Sequence, residues 1–101
     1  MAVNLKAITG CIGYQQVTSL STATGLAIPV TDLTGLNCRP SFALITAEAE
    51  GVRWRDDGIL PTATVGMPLA AGVTLQYDGD LSRIRFIEQG PSAIINVSFY
   101  V

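Results

Sequence analysis

Apolar and polar residues alternate along several stretches of this chain, and alternation of period two predicts β-strands. The clearest stretches are VTLQY at 73–77 and AIINVSFYV at 93–101. In FALITA, at 42–47, Phe, Leu and Thr share one parity and Ala, Ile and Ala the other. Two further stretches, VRWR at 52–55 and RIRF at 83–86, place arginine on every second position. We expect a strand in each.

Gly, Pro and Asp residues separate these stretches, as turn residues do between antiparallel strands. Short strands at this spacing are typical of an all-β fold. We therefore predict a single antiparallel β-sandwich, jelly-roll-like or Ig-like, or a small barrel, over residues 1–101. The predicted turns lie at 21–25, 50–51, 56–58, 70–72, 78–80 and 88–91.

Four segments have weaker patterns. Residues 1–14 are expected to form an extended arm or an edge strand. Residues 26–30 should be extended, and this strand should lie at an edge or stop at Pro29, which cannot donate to a ladder. Residues 31–40 are predicted to be a connection. Residues 59–69 should run extended and irregular, with their apolar side chains packed on the sandwich.

The composition is apolar for a chain of 101 residues: 49% of residues are hydrophobic and 14% are charged, against a usual charged share of about 25%. This surplus predicts a protein–protein interface and a homo-oligomer. No apolar run approaches the roughly 18 residues of a membrane span, so no membrane partner is expected. A net charge of −2 predicts no nucleic-acid partner.

Catalytic signatures are absent from the sequence. There is no histidine, which is the commonest general base and metal ligand. No GxSxG, P-loop or GxGxxG pattern occurs. Two cysteines, Cys11 and Cys38, match neither a zinc quartet nor a CxxC pair, and without a visible secretory signal we expect reduced, half-buried thiols. The sequence therefore predicts a non-enzyme with no cofactor and no metal.

Two acidic pairs are candidate sites, because carboxylate oxygens bind Ca²⁺ and paired carboxylates hydrolyse glycosides. Each pair lies beside a glycine at a predicted turn, where Asp is common for backbone reasons. Turn chemistry is the favoured interpretation. The pairs are Asp56 with Asp57 and Asp78 with Asp80.

Four arginines lie on the outward parity of two strands that we expect to be neighbours. They either form ion pairs with Asp57, Asp80 and Glu88, or contact another subunit, where Arg is the preferred interface cation. The four candidates for subunit contact are Arg53, Arg55, Arg83 and Arg85.

Trp54 shares its parity with Val52 and is expected in the core. The alternative is a sugar-stacking surface formed by Trp54 with Tyr77.

Four ordered motifs, VRWRDDG, PTATVGMPL, GDLSRIRFIEQ and INVSFYV, resemble those of small virion structural proteins of tailed bacteriophages and prophages. The resemblance covers residues 51–101. It implies a virion structural protein and leaves its position in the particle open. Together with the surplus of apolar residues, it favours a capsid decoration or cement protein that is assembled from the host cytoplasm and binds the major capsid protein or other virion proteins. A collar or head–tail connector component, or a receptor- or glycan-binding module of the tail, remains the alternative. The resemblance implies no catalytic residue.

Overall fold

The computed structural model of the chain describes residues 10–29, 31–33 and 36–101. Within those ranges all the regular elements are β-strands. No helix in the described ranges is long and apolar enough to span a membrane. The predicted all-β class is confirmed. The strands of the described ranges are β1 (Cys11–Val17), β2 (Thr31–Leu33), β3 (Leu36–Cys38), β4 (Phe42–Glu48), β5 (Val52–Arg55), β6 (Met67–Leu69), β7 (Thr74–Tyr77), β8 (Arg85–Glu88) and β9 (Ile94–Tyr100).

The larger sheet contains four strands in the order β1-β9-β4-β7, with every neighbouring pair antiparallel. Its centre is the pair β4–β9, in register from Phe42 opposite Tyr100 to Glu48 opposite Ile94. Both strands alternate buried and more exposed residues, because one pleated face lies on the core and the other faces outward. The strand predictions for 41–50 and 93–101 are confirmed.

The smaller sheet contains three antiparallel strands in the order β6-β5-β8. The chain after β1 covers its β8 edge: Thr24 and Phe86 exchange two backbone hydrogen bonds of 2.8 and 2.9 Å. At the other edge, β6 contains Pro68, which has no N–H for a further strand. Strands β2 and β3 form a separate hairpin.

The inner faces of the two sheets enclose one hydrophobic core. Ala43, Ile45 and Val97 of the large sheet, and Val52 and Phe86 of the small sheet, have no exposed surface. Among the described residues, no polar or charged residue is buried. Two antiparallel sheets packed over a shared core form a β-sandwich.

Two segments near the start of the chain differ from expectation. Residues 26–29 form no strand; instead, Ala27 N–H donates to Gln15 Oε1 at 2.9 Å and Pro29 packs against Gly13. Residues 31–40, predicted to be a connection, contain the β2–β3 hairpin. Each of its strands has three residues, which is too few for an alternating pattern to be recognised in the sequence.

The predicted arm is described only at its end. Residues 1–9 lie outside the described ranges, and residues 11–14 belong to the edge strand β1. Cys11 has an exposed free thiol rather than the expected half-buried one, because its side chain lies on the outward face of that edge.

The largest difference concerns residues 59–69. Their irregular course is confirmed, since only Met67–Leu69 pair in the sheet. The prediction that their apolar side chains pack on the sandwich is wrong for most of them, because Pro61 and Leu69 alone are buried in this segment. Because β6 contains only the last three residues of this segment, the rest of the segment belongs to neither sheet. Its exposed large side chains are Ile59, Leu60, Val65 and Met67.

Candidate functional site

Four of the large exposed apolar side chains of the described residues lie close together in sequence, between the end of β5 and the first residue of β6. We call Ile59, Leu60, Val65 and Met67 the apolar loop surface. Their exposed fractions are 58%, 60%, 52% and 57%. Scattered single apolar residues are normal on a protein, whereas a cluster of large ones marks an interaction site.

Backbone hydrogen bonds hold the loop in a folded-back shape. The N–H of Thr62 donates to the carbonyl of Val65 at 2.9 Å, and the reverse bond is 3.2 Å. The Thr62 hydroxyl also accepts from Val65 N–H at 3.0 Å. Pro61 lies against Gly66, which has a φ of 143° that side chains rarely adopt and little space for a Cβ atom. Leu60 and Met67 are the next residues on either side of this contact, so the backbone returns from one to the other over a short distance.

Arg53 ties this loop to the small sheet. Its Nη1 donates to the carbonyl of Gly66 at 2.8 Å, and its Nε donates to the carbonyl of Ala63 at 3.2 Å. A planar guanidinium can reach two acceptors at once, so one side chain of β5 supports both ends of the loop's turn. The hydrogen bonds from Arg53 therefore fix the loop that carries the apolar loop surface to the small sheet.

The C-terminal end of the loop lies beside Trp54 of β5. Met67 lies directly opposite Trp54 in the β5–β6 register, and Trp54 is half-buried at the margin of the core. A pocket of about 260 Å³ adjoins this point. Its lining combines apolar and charged residues: Arg55, Asp56, Asp57, Val65, Gly66 and Met67.

An ion pair borders the pocket. Arg55 Nη2 lies 2.5 Å from Asp57 Oδ2, and Arg55 Nε donates to Asp57 Oδ1 at 3.0 Å. These hydrogen bonds lower the pKa of Asp57 to about 2. The side chains are 25% and 51% exposed, so the pair contributes little to stability. It supplies a charged rim beside apolar residues, which is the usual layout of a protein interface.

The other predicted arginines lie nearby. Strands β5 and β8 are neighbours, with Arg55 directly opposite Arg85. Arg85 Nη1 donates to two backbone carbonyls at 2.9 and 3.0 Å. Arg83 is exposed, precedes β8 and lies beside Gly58. Three of the four arginines lie in the smaller sheet and Arg83 lies in the turn before β8. Their contact with another subunit stays a prediction.

Trp54 and Tyr77 contact each other edge to face, with ring centroids 5.8 Å apart and an interplanar angle of 71°. Tyr77 is only 6% exposed, and its hydroxyl donates to Asp56 Oδ2 at 2.6 Å. Burial, followed by that hydrogen bond, raises the pKa of Tyr77. The stacking-surface hypothesis stays a prediction, and it depends on the exposed part of Trp54.

The acidic pairs take part in turns. Gly58, after Asp56 and Asp57, has a φ of 87°, which glycine adopts without strain. Asp80 Oδ1 accepts from the N–H of Ser82 at 2.9 Å and from its hydroxyl at 2.5 Å. These contacts lower the pKa of Asp80. In the part of the chain that the structure describes, no group of three acidic or thiol side chains is arranged to hold a metal.

Sequence reasoning missed the apolar loop surface because it equated apolar residues with burial. A signal was present: Pro61 and Pro68 bracket a segment without alternation, and such a segment cannot pair over its length.

No protein-family model, no curated protein and no solved structure matches the chain.

Proposed function

We propose that the protein is a non-enzymatic structural component of a tailed-bacteriophage virion that decorates the assembled head. The apolar loop surface carries the proposal. It lies within residues 51–101, the half of the sequence that resembles virion proteins. A hydrogen-bonded loop holds these large apolar side chains in contact with water. Covering them with a partner lowers the free energy of the system.

In this proposal the partner is the major capsid protein or another protein of the virion surface. Leu60 and Met67 serve as anchors that enter apolar depressions of the partner. Arg55 and Asp57 lie at the rim, where charged groups select the orientation of docking more than they add affinity. Many copies on one particle make a modest single contact sufficient.

The same surface also suits a collar or head–tail connector position. A receptor- or glycan-binding role in the tail draws less support from the geometry, because Tyr77 is buried and leaves only part of Trp54 open to a sugar.

Mass spectrometry of purified virions tests the proposal. We expect the chain in stoichiometric amounts relative to head proteins, and cryo-electron microscopy should place its density on the head. Density at the collar would select the connector alternative. Absence of the chain from purified particles would reject a virion role altogether.

A further inference from the structure

A second pocket, of about 540 Å³, lies between the start of β4 and the end of β7. It shares no residue with the apolar loop surface. Its volume falls within the usual range of small-molecule sites, about 300–1,000 Å³. The chemistry of its lining therefore indicates which class of ligand would fit it. The lining residues are Ser41, Phe42, Gln76, Tyr77 and Asp78.

Phe42 supplies an aromatic wall to this pocket. Ala43 and Ile45 are buried, so Phe42, on the alternate parity of β4, lies on the outer face of the large sheet. Tyr100, directly opposite on β9, stacks on the Phe42 ring with centroids 4.9 Å apart and an interplanar angle of 14°. Strand β7 lies on the other side of β4 from β9. The ring face turned away from Tyr100 therefore borders the pocket.

The polar side chains of the lining are available to a ligand. Ser41, Gln76 and Asp78 are exposed, and among the described residues none of these side chains takes part in a hydrogen bond or an ion pair. Asp78 differs in this respect from its neighbours in the acidic turns. The other three carboxylates each accept a side-chain hydrogen bond: Asp56, Asp57 and Asp80. A hydroxyl, an amide and a carboxylate thus remain unpaired around one aromatic face.

We propose that this pocket binds a neutral sugar. One side of a sugar ring presents C–H groups of slightly positive charge, which suit the negative face of the Phe42 ring. Sugar hydroxyls both donate and accept hydrogen bonds. The carboxylate of Asp78 accepts from them, and the amide of Gln76 can do both. An aromatic wall with a few polar groups is the usual composition of a small-molecule site.

The charge of the lining selects an uncharged ligand. No Arg or Lys lines the pocket, so a phosphate or carboxylate ligand would meet the charge of Asp78 without a cation to offset it. A single carboxylate is also a poor metal site, because Ca²⁺ takes six to eight oxygen ligands. In the described ranges no group of three acidic or thiol side chains is arranged to hold a metal. A neutral, hydroxyl-rich molecule meets neither objection.

This inference does not rest on the particle-binding proposal, since sugar binding is measured on the isolated protein. NMR amide spectra are recorded while glucose, galactose, mannose, N-acetylglucosamine, maltose or lactose is added. At least one of these sugars should shift the signals of residues 41–42 and 76–78, with a Kd on the order of 1 mM. Tighter binding of a disaccharide would assign a glycan chain as the source, and tighter binding of a monosaccharide a free sugar. Both results support the inference.

Two variants test the assigned contacts. Asp78→Ala removes the unpaired carboxylate and should weaken binding at least about tenfold. Phe42→Leu keeps an apolar side chain without the ring face and should weaken binding several-fold. Glu50→Ala is the matched control, because Glu50 is an exposed carboxylate beyond the opposite end of β4 from Phe42. It should bind as the unmodified chain does, and circular dichroism should show all variants folded.

Glucosamine, glucuronic acid and Ca²⁺ serve as charged probes in the same experiment. Signals of the pocket that no neutral sugar shifts would overturn the inference. So would a preference for glucosamine or glucuronic acid over the neutral sugars, or a shift of the same signals by Ca²⁺ alone. Sugar binding that Asp78→Ala leaves intact, or that Glu50→Ala weakens equally, would also contradict it.

Discussion

Tyr77 connects three parts of the molecule through one residue. Its backbone ends β7, its ring makes an edge-to-face contact with Trp54, and its hydroxyl donates to Asp56 after β5. An ionised Tyr77 would place a buried negative charge beside a carboxylate. The folded protein therefore favours the neutral phenol, which is why the pKa of Tyr77 is raised.

Alkaline pH should destabilise the fold through this residue. With a raised folded pKa, the contribution of Tyr77 is complete below the ordinary tyrosine pKa of about 10 and is lost as the pH rises beyond it, because the unfolded chain ionises first. We expect the urea midpoint of unfolding to fall above about pH 10, and to fall less in Tyr77→Phe. Tyr14→Phe, at an exposed tyrosine, is the control; an identical alkaline fall in both variants would contradict this account.

Trp54 packs against the core while remaining half-exposed. Truncating a fully buried Trp costs about 3–5 kcal/mol, so we expect about 2 kcal/mol for Trp54→Ala. Urea unfolding followed by circular dichroism measures the change. Trp54→Phe should retain most of the packing. A cost below about 0.5 kcal/mol, the usual range for surface positions, would show that the ring does not pack as the structure has it.

The pKa of Asp57 provides a test of its ion pair with Arg55. Its depressed pKa means that its stabilising effect is present above the ordinary Asp value of about 3.9 and is lost as the pH falls through about 2. NMR titration should give a midpoint near that value. In Arg55→Gln the midpoint should return toward the ordinary one. An unchanged midpoint in the variant would contradict the assigned cause.

At the scale of elements, the side chain of Arg53 joins the loop between β5 and β6 to the small sheet. Arg53→Gln removes the two hydrogen bonds to the carbonyls of Ala63 and Gly66, and we expect a loss of about 1–2 kcal/mol. The loop should then be cut faster by a protease that cleaves beside large apolar residues. Arg83→Gln, at an exposed arginine, should be cut at the original rate. Equal cleavage of both variants would show that Arg53 does not hold the loop in place.

Individual strands were the most predictable elements. The FALITA and INVSFY segments of β4 and β9 alternate cleanly because each has one face in the core, and period two reveals that directly. The apolar loop surface gives no such signal. In a segment without alternation, the sequence does not distinguish an exposed Leu from a buried one. The hairpin of β2 and β3 is too short to show a period.

At the scale of the whole molecule, the all-β class follows from the spacing of strands and turns, but the strand order does not. In the large sheet β9 lies between β1 and β4, so most of its contacts join residues far apart in the chain. Such pairings depend on the complementarity of whole faces, which no local pattern encodes. The arrangement also leaves residues 59–66 outside the strands of both sheets.

Binding to the particle tests the central claim most directly. Heads lacking this protein are mixed with the purified chain, and the bound fraction is measured by co-sedimentation. The chain should bind, and Leu60→Ser/Met67→Ser should bind more than about tenfold more weakly, since each lost anchor costs about 1–2 kcal/mol. Tyr14→Ser, which removes a large exposed side chain outside the loop, should bind normally. A double variant that binds as tightly as the unmodified chain would contradict the claim that the apolar loop surface attaches the protein to the virion.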